Sequence, residues 1–164
     1  MLHTGHYIDA TDVLHGFVRT AEGAVTTYDL PTVGTTGTDE DTGAAGINNA
    51  GTITGSYIDS SGVPIAFVRT AAGVVTTFNV SGASETFAAA INTSGAVVGN
   101  YLNSNSNSRG YLRSASGAIT TFDTPGSGTT KGTGTFVYGI NSAETTVGLY
   151  FESGGPFHAF LRTE

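Results

Sequence analysis

Phe67-Val68-Arg69-Thr70-Ala71-Ala72-Gly73-Val74-Val75-Thr76-Thr77-Phe78-Asn79 reads as two short strands joined by a tight turn. Aromatic and β-branched residues suit the pleated surface of a strand, and Gly73 supplies the left-handed conformation that a bulged hairpin turn needs. The stretch recurs at Phe17 to Asp29 and at Tyr111 to Asp123, and Phe160-Leu161-Arg162-Thr163 begins a fourth copy. Self-similarity at a regular period is the signature of a repeat architecture and takes precedence over any local reading.

Working outward, three further landmarks repeat. Ile-Asn pairs stand at Ile47-Asn48, Ile91-Asn92 and Ile140-Asn141, and a Gly-x-Tyr ends at Tyr7, Tyr57, Tyr101 and Tyr150. A Thr-Thr-aromatic closes the units at Tyr28, Phe78 and Phe122. The Ile lies 10 residues before the Tyr, the Tyr 10 before the aromatic of the aromatic-x-Arg, and that aromatic 9 before the first Thr, in every unit that has both landmarks. Only the link from the Thr-Thr strand to the next Ile-Asn varies, at 21, 15 and 20 residues.

Each unit therefore reads as a four-stranded antiparallel meander. Strand one is short and rich in small residues, strand two carries the Tyr, strand three the Arg and strand four the Thr-Thr. Tight turns with Gly51 and Gly95 join strands one and two, with Glu144 taking the glycine place in the last copy. Alternation puts Phe67 and Val68, or Tyr57 and Ile58, on opposite faces, so both faces of a sheet carry apolar groups and both need cover. Copies of one sheet packed face to face give an all-β, β-propeller-like fold, with a stacked β-solenoid as the alternative. A β-trefoil fits worse, because the aromatic-x-Arg occurs four times. The 164 residues form a single β-repeat domain of three and a half units: residues 1–43 (partial), 44–87, 88–136 and 137–164 (partial).

Composition agrees. Charged residues make up 12% of the chain against roughly 25% in globular domains, while Thr occurs 27 times and Gly 24 times. The strong helix formers Leu, Lys, Glu and Met are scarce, so almost no helix is expected. A net charge of −7 and a single Lys, Lys131, leave no basic stripe for phosphates, which speaks against nucleic acid as a partner. Apolar runs are strand-sized, too short for membrane insertion as a helix, and no signal peptide stands at Met1-Leu2-His3-Thr4. Without Cys there are no disulfides or thiolate metal sites. Low Lys with many Thr, Ser, Asn and Gly leans toward an extracellular or cell-surface location.

The copies Gly-Ile-Asn-x-x-Gly and Val-x-Gly-x-Tyr, with His-Gly-Phe-Val-Arg at 15 to 19 and His-Ala-Phe-Leu-Arg at 158 to 162, resemble the bacterial extracellular repeats named HAF after their His-Ala-Phe signature. The resemblance spans nearly the whole chain. The middle copies depart from it with Ile65-Ala66-Phe67 and Arg109-Gly110-Tyr111. It implies a secreted or surface-exposed propeller-like repeat, and it implies no activity.

No residue set identifies a reaction, and no cofactor or metal is expected. Arg19, Arg69, Arg113 and Arg162 occupy one repeat position. They either present a ring of guanidinium forks to an anionic polymer or, preferably, tie neighbouring units through carbonyls or through acids such as Asp29 and Asp123. Tyr7, Tyr57, Tyr101 and Tyr150 serve a carbohydrate-binding, lectin-like module if their rings line shared pockets. His3, His6, His15 and His158 lie toward the two ends, where imidazoles could gather around a metal, but only His15 and His158 share a repeat position and a consensus role is preferred. Asp39-Glu40-Asp41, Asp9, Asp12 and Asp59 are oxygen-rich loop residues without the spacing of calcium loops. Asn79-Val80-Ser81 and Asn92-Thr93-Ser94 match the N-glycosylation acceptor, and the loops 32–43 and 124–135 offer hydroxyls to O-linked sugar, but such short patterns arise often by chance and an unmodified flexible loop is the default reading.

Because the chain opens at strand two and stops after strand three, either it is cut from a longer array or its open end sheets are completed by another copy, since exposed sheet edges and uncapped repeats seek partners. The reading is a non-catalytic structural or adhesive protein that self-associates, as a closed dimer or a head-to-tail filament.

Overall fold

The computed structural model describes residues 2–30 and 42–163. Their regular structure is entirely β, in four consecutive antiparallel meanders. The first holds β1 (His3–Ile8), β2 (Leu14–Arg19) and β3 (Val25–Tyr28); the second β4 (Thr42–Ile47), β5 (Ile53–Ile58), β6 (Pro64–Arg69) and β7 (Val75–Phe78). The third holds β8 (Glu85–Ile91), β9 (Val97–Leu102), β10 (Ser108–Arg113) and β11 (Ile119–Phe122), and the fourth β12 (Gly134–Ile140), β13 (Thr146–Phe151) and β14 (Phe157–Arg162). The third and fourth meanders are stitched into one hydrogen-bonded sheet by a single parallel bridge, Ser108 to Gly134.

Strand one of each sheet (β4, β8, β12) lies against strand two of the sheet before it, and β8 also lies against both β4 and β12. The backbones of the outermost strands β3, β7 and β11 make no comparable approach to one another. The sheets thus converge along their strand-one edges and fan outward, which is the arrangement of propeller blades and not of a parallel stack. Among the described residues no helix is long and apolar enough to cross a membrane.

Cores form between sheets. Each sheet has an upstream face, toward the sheet before it, and a downstream face, toward the next. Tyr28, Leu30 and Val18 from the first sheet meet Ile53, Tyr57 and Phe67 on the upstream face of the second. Val68, Phe78 and Val80 meet Val97, Tyr101 and Tyr111 of the third, and Val98, Leu112 and Phe122 meet Val137, Ile140 and Phe160 of the fourth. One repeated set of side chains therefore makes three successive joints.

Two landmarks have backbone causes. The glycine of Gly-x-Tyr faces a β-bulge in strand one, between Ala44 and Gly46 or its equivalents. There the carbonyls of Gly43, Phe87 and Phe136 press against Gly55, Gly99 and Gly148, leaving no room for a Cβ. The asparagine of Ile-Asn caps the turn after strand one. Asn92 Oδ1 accepts from the N–H groups of Ser94 (3.1 Å) and Ala96 (2.9 Å), and Asn48 and Asn141 repeat the pattern. The same side chains also link sheets, since Asn48 Nδ2 donates to the Asn92 carbonyl (3.1 Å) and Asn92 Nδ2 to that of Asn141 (3.2 Å).

Candidate functional site

The repeated arginines bridge neighbouring sheets. The guanidinium carbons of Arg69, Arg113 and Arg162 lie 4.6, 4.8 and 4.6 Å from the ring centres of Tyr28, Phe78 and Phe122, the Thr-Thr-aromatic rings of the sheet before. Contacts of this kind contribute about 0.5–2 kcal/mol, more where water is excluded. Arg69 and Arg113 also donate to the carbonyls of their own turns, Thr70 (3.4 Å) and Ser114 (3.3 Å). The expected acidic partners are different ones. Asp29 accepts from His15 (2.7 Å) and Asp123 takes a two-pronged ion pair from Arg109. The cause is register: Gly16 pairs with Tyr28, so His15 and Asp29 meet at one end of the hairpin, whereas Arg19 pairs with Val25 at the other. Arg19, in the first sheet, is exposed.

The tyrosines do not line shared pockets. Tyr57 and Tyr101 are 4% and 6% exposed and belong to the inter-sheet cores, which removes them as sugar platforms. Tyr7 is 41% exposed and stacks on His15 at 5.1 Å, and Tyr150 stacks on His158 at the same distance. Both pairs are directly cross-strand, Tyr7 to His15 and Tyr150 to His158.

His15 donates from one ring nitrogen to Asp29 and lies 3.3 Å from Asp9 on the other side. The hydrogen bond to Asp29, then that to Asp9, raises its pKa above the usual 6.5. Asp9 itself is held well below the ordinary carboxylate range, chiefly by hydrogen bonds from the Val13 and Thr11 backbone and the Thr11 hydroxyl. Asp59 caps the equivalent turn through the N–H groups of Ser61 and Val63. These carboxylates are turn caps, and among the described residues no group of three or more His, Cys, Asp or Glu is placed to hold a metal ion. Asp39, Glu40 and Asp41 lie outside the described residues. Asn92 matches the acceptor pattern in sequence alone: its side chain is buried and hydrogen-bonded within the turn and to Asn141, so no oligosaccharide reaches it. Asn79 is exposed.

Among the described residues, two sheet faces are not part of a joint. The downstream face of the fourth sheet carries Val147, Leu149, Phe151, Phe157, Ala159 and Leu161, placed together by cross-strand pairing. Val147 is 43%, Phe157 62% and Leu161 68% exposed, and no charged group interrupts β13 and β14 on this face. At the far end, the upstream face of the first sheet exposes His3, Tyr7, Arg19 and Val25 around a half-buried Phe17. In the sequence, the alternation in Val147-Gly148-Leu149-Tyr150-Phe151 carries the signal of this apolar row.

A third feature is a half-open cleft of about 390 Å³, where the link 124–135 folds over the turn before β10. Asn107 is buried and its Nδ2 ties down the carbonyls of Gly128 (2.7 Å) and Thr133 (2.9 Å). Asn103, Asn105, the Arg109–Asp123 pair, Thr124, Ser127 and Thr129 line the rest. Thr124 stands where the first two units place the core residues Leu30 and Val80, and its hydroxyl is buried without a partner.

The fold is that of an all-β, propeller-like repeat of antiparallel sheets. No family model and no curated protein matches the chain. Among solved structures it is similar to a streptogramin B lyase, with a TM-score of 0.49 and 13% identity over 94% of this chain and 53% of the other. The chain thus spans about half the length of that protein.

Proposed function

We propose that this is a non-catalytic structural or adhesive repeat protein, acting outside the cell or on its surface, that self-associates through its end sheets. The observation that carries the reading is the apolar downstream face of the fourth sheet. The equivalent faces of the second and third sheets are covered by the next unit, and exposed apolar sheet faces of this kind mark interaction surfaces. The resemblance to His-Ala-Phe repeats and the Lys-poor, hydroxyl-rich composition support the location. Light scattering at micromolar concentration tests it. The wild-type chain is expected above monomer mass and Leu161→Asp at monomer mass with unchanged circular dichroism, whereas a monodisperse wild-type monomer overturns the reading.

The cleft beside Asn107 favours a second role, binding of a neutral saccharide. Its one cation and one anion neutralise each other, and the other groups are amides and hydroxyls, which match sugar hydroxyls and not phosphates or carboxylates. Titrating a panel of neutral glycosides into the labelled protein should move the amide resonances of Asn105, Ser127 and Thr129, and Arg109→Met should abolish the shifts. No movement with any sugar in the panel removes this role.

A further inference from the structure

One repeat position records which surface each downstream face receives. In the joint between the second and third sheets, Ser56 Oγ accepts from the backbone N–H of Ala88 (2.9 Å). In the next joint Asn100 Oδ1 accepts from the N–H of Val137 (2.6 Å), and its Nδ2 reaches the Val137 carbonyl (3.5 Å). Ala88 and Val137 stand at the β-bulge of strand one, where the pairing with strand two slips and a backbone N–H turns away from the ladder. Left buried without an acceptor, such a group costs about 1–3 kcal/mol. A polar side chain at this position is therefore the counterpart of an arriving strand one. The first sheet, which receives β4, has His6 there, exposed and, among the described residues, without the bond that Ser56 and Asn100 make, so the rule rests on the second and third sheets.

The fourth sheet has Leu149 at the same position. Leucine offers no acceptor, and Val147, Phe151 and Phe157 around it offer none either. A following sheet of the usual kind, with a bulged strand one, would bury its free N–H against hydrocarbon. One sheet of this chain has no strand one among the described residues, namely the first, whose strands are β1, β2 and β3. Its upstream face exposes Tyr7 and Val25 and half buries Phe17, the equivalents of Tyr57, Val75 and Phe67, which pack in the joint between the first and second sheets.

Resting on the self-association proposed above, we infer that the downstream face of the fourth sheet receives the upstream face of the first sheet of a second copy, head to tail. Leu149 then covers the space that strand one fills in the internal joints. Leu161 takes the place of Val68 and Leu112 against the ring of Phe17, and Val25 closes the outer side. The joint is heterologous, so copies add in one direction and either close into a ring or extend.

Two blocked variants test the direction. Leu161→Asp spoils the downstream face and Val25→Asp the upstream face; both residues are exposed, and Val147→Asp and Tyr7→Asp are substitutes if either variant misfolds. Each variant alone is expected to sediment as a monomer. An equimolar mixture is expected to give a dimer of one of each and nothing larger, because only one pair of intact faces remains between them. If Val25→Asp associates as well as wild type while Leu161→Asp does not, the fourth sheets pair with each other and the head-to-tail inference falls, though self-association stands. If Leu161→Asp and Val147→Asp both associate like wild type, the self-association reading of this face falls as well. Leu149→Asn reads the position itself. Without an N–H to satisfy it should weaken association roughly tenfold, and tighter association would show that a strand one arrives there after all.

Discussion

The joint between the second and third sheets and the two uncovered faces at the ends of the chain use the same repeat positions with different residues. In the joint the upstream positions hold Val97, Tyr101 and Tyr111, all buried. On the open upstream face they hold His3, Tyr7 and Phe17, and His15 stands where the second sheet has Ile65. Downstream the change runs the other way, with Leu149 replacing Ser56 and Asn100. Polarity at the upstream positions does not by itself mark an open face, since Thr146 and His158 stand there in the fourth sheet, against which the third sheet packs. What sets the downstream end apart is Leu149 where the other three sheets have a polar residue.

The largest effect expected from this contrast is at the Gly-x-Tyr glycine. A Cβ on Gly99 would collide with the Phe87 carbonyl and lie 2.8 Å from the Tyr111 hydroxyl, which itself donates to that carbonyl at 3.1 Å. Neither is the end of a flexible chain, since one is backbone and the other the tip of a fully buried ring. On Gly5 the same Cβ meets only the Phe17 ring, at 2.9 Å, because no strand one presses on β1 among the described residues. Gly99→Ala should cost about 3 kcal/mol or more and Gly5→Ala about 1 kcal/mol, read from urea denaturation midpoints. Equal costs would show that β1 is backed by another strand in solution, which would break the contrast at its upstream end.

How much of this was legible beforehand depends on what enforces each feature. Strand number, turn places and the constancy of the block follow from local chemistry, with Gly23, Gly73 and Gly117 at φ 97°, 88° and 98° and alternating apolar residues between them. The inter-sheet role of Arg69 and Arg113 could be expected from their spacing, but their aromatic partners could not, because those lie in the preceding unit and are chosen by how the sheets fan. The same holds for Asn48 and Asn92, which reach the next sheet as well as capping their own turns. The acceptor pattern at Asn92 is silent on this burial, which follows from the turn and the neighbouring sheet. The cleft beside Asn107 was invisible for a further reason: it depends on the course of the variable link 124–135, which no repeat spacing constrains.

The smallest effect sharpens the comparison at the downstream end. The turn between strands one and two needs a left-handed residue, and Gly51 and Gly95 supply it at φ 76° and 91°. In the fourth sheet Glu144 adopts the same conformation at φ 59°, and the turn keeps its bonds, with Glu144 N–H donating to the Asn141 carbonyl at 3.1 Å and Thr145 N–H to Asn141 Oδ1 at 2.9 Å. A side-chain-bearing residue in that region pays about 1–2 kcal/mol, while a glycine loses about 0.4–1 kcal/mol through the added freedom of the unfolded chain. The first figure exceeds the second, so Glu144→Gly should stabilise the protein by about 0.5–1 kcal/mol, seen as a rise in the thermal midpoint. The reverse change in an internal unit, Gly95→Glu, should destabilise by a similar amount, since its Cβ would meet the Ala115 methyl at an ordinary 3.6 Å and add no clash. If Glu144→Gly instead lowers the midpoint, and does so only at concentrations where the chain self-associates, the Glu144 side chain makes a contact across the joint between copies. The departure from glycine would then belong to the end surface, as proposed for Leu149, and not to a turn left under strain.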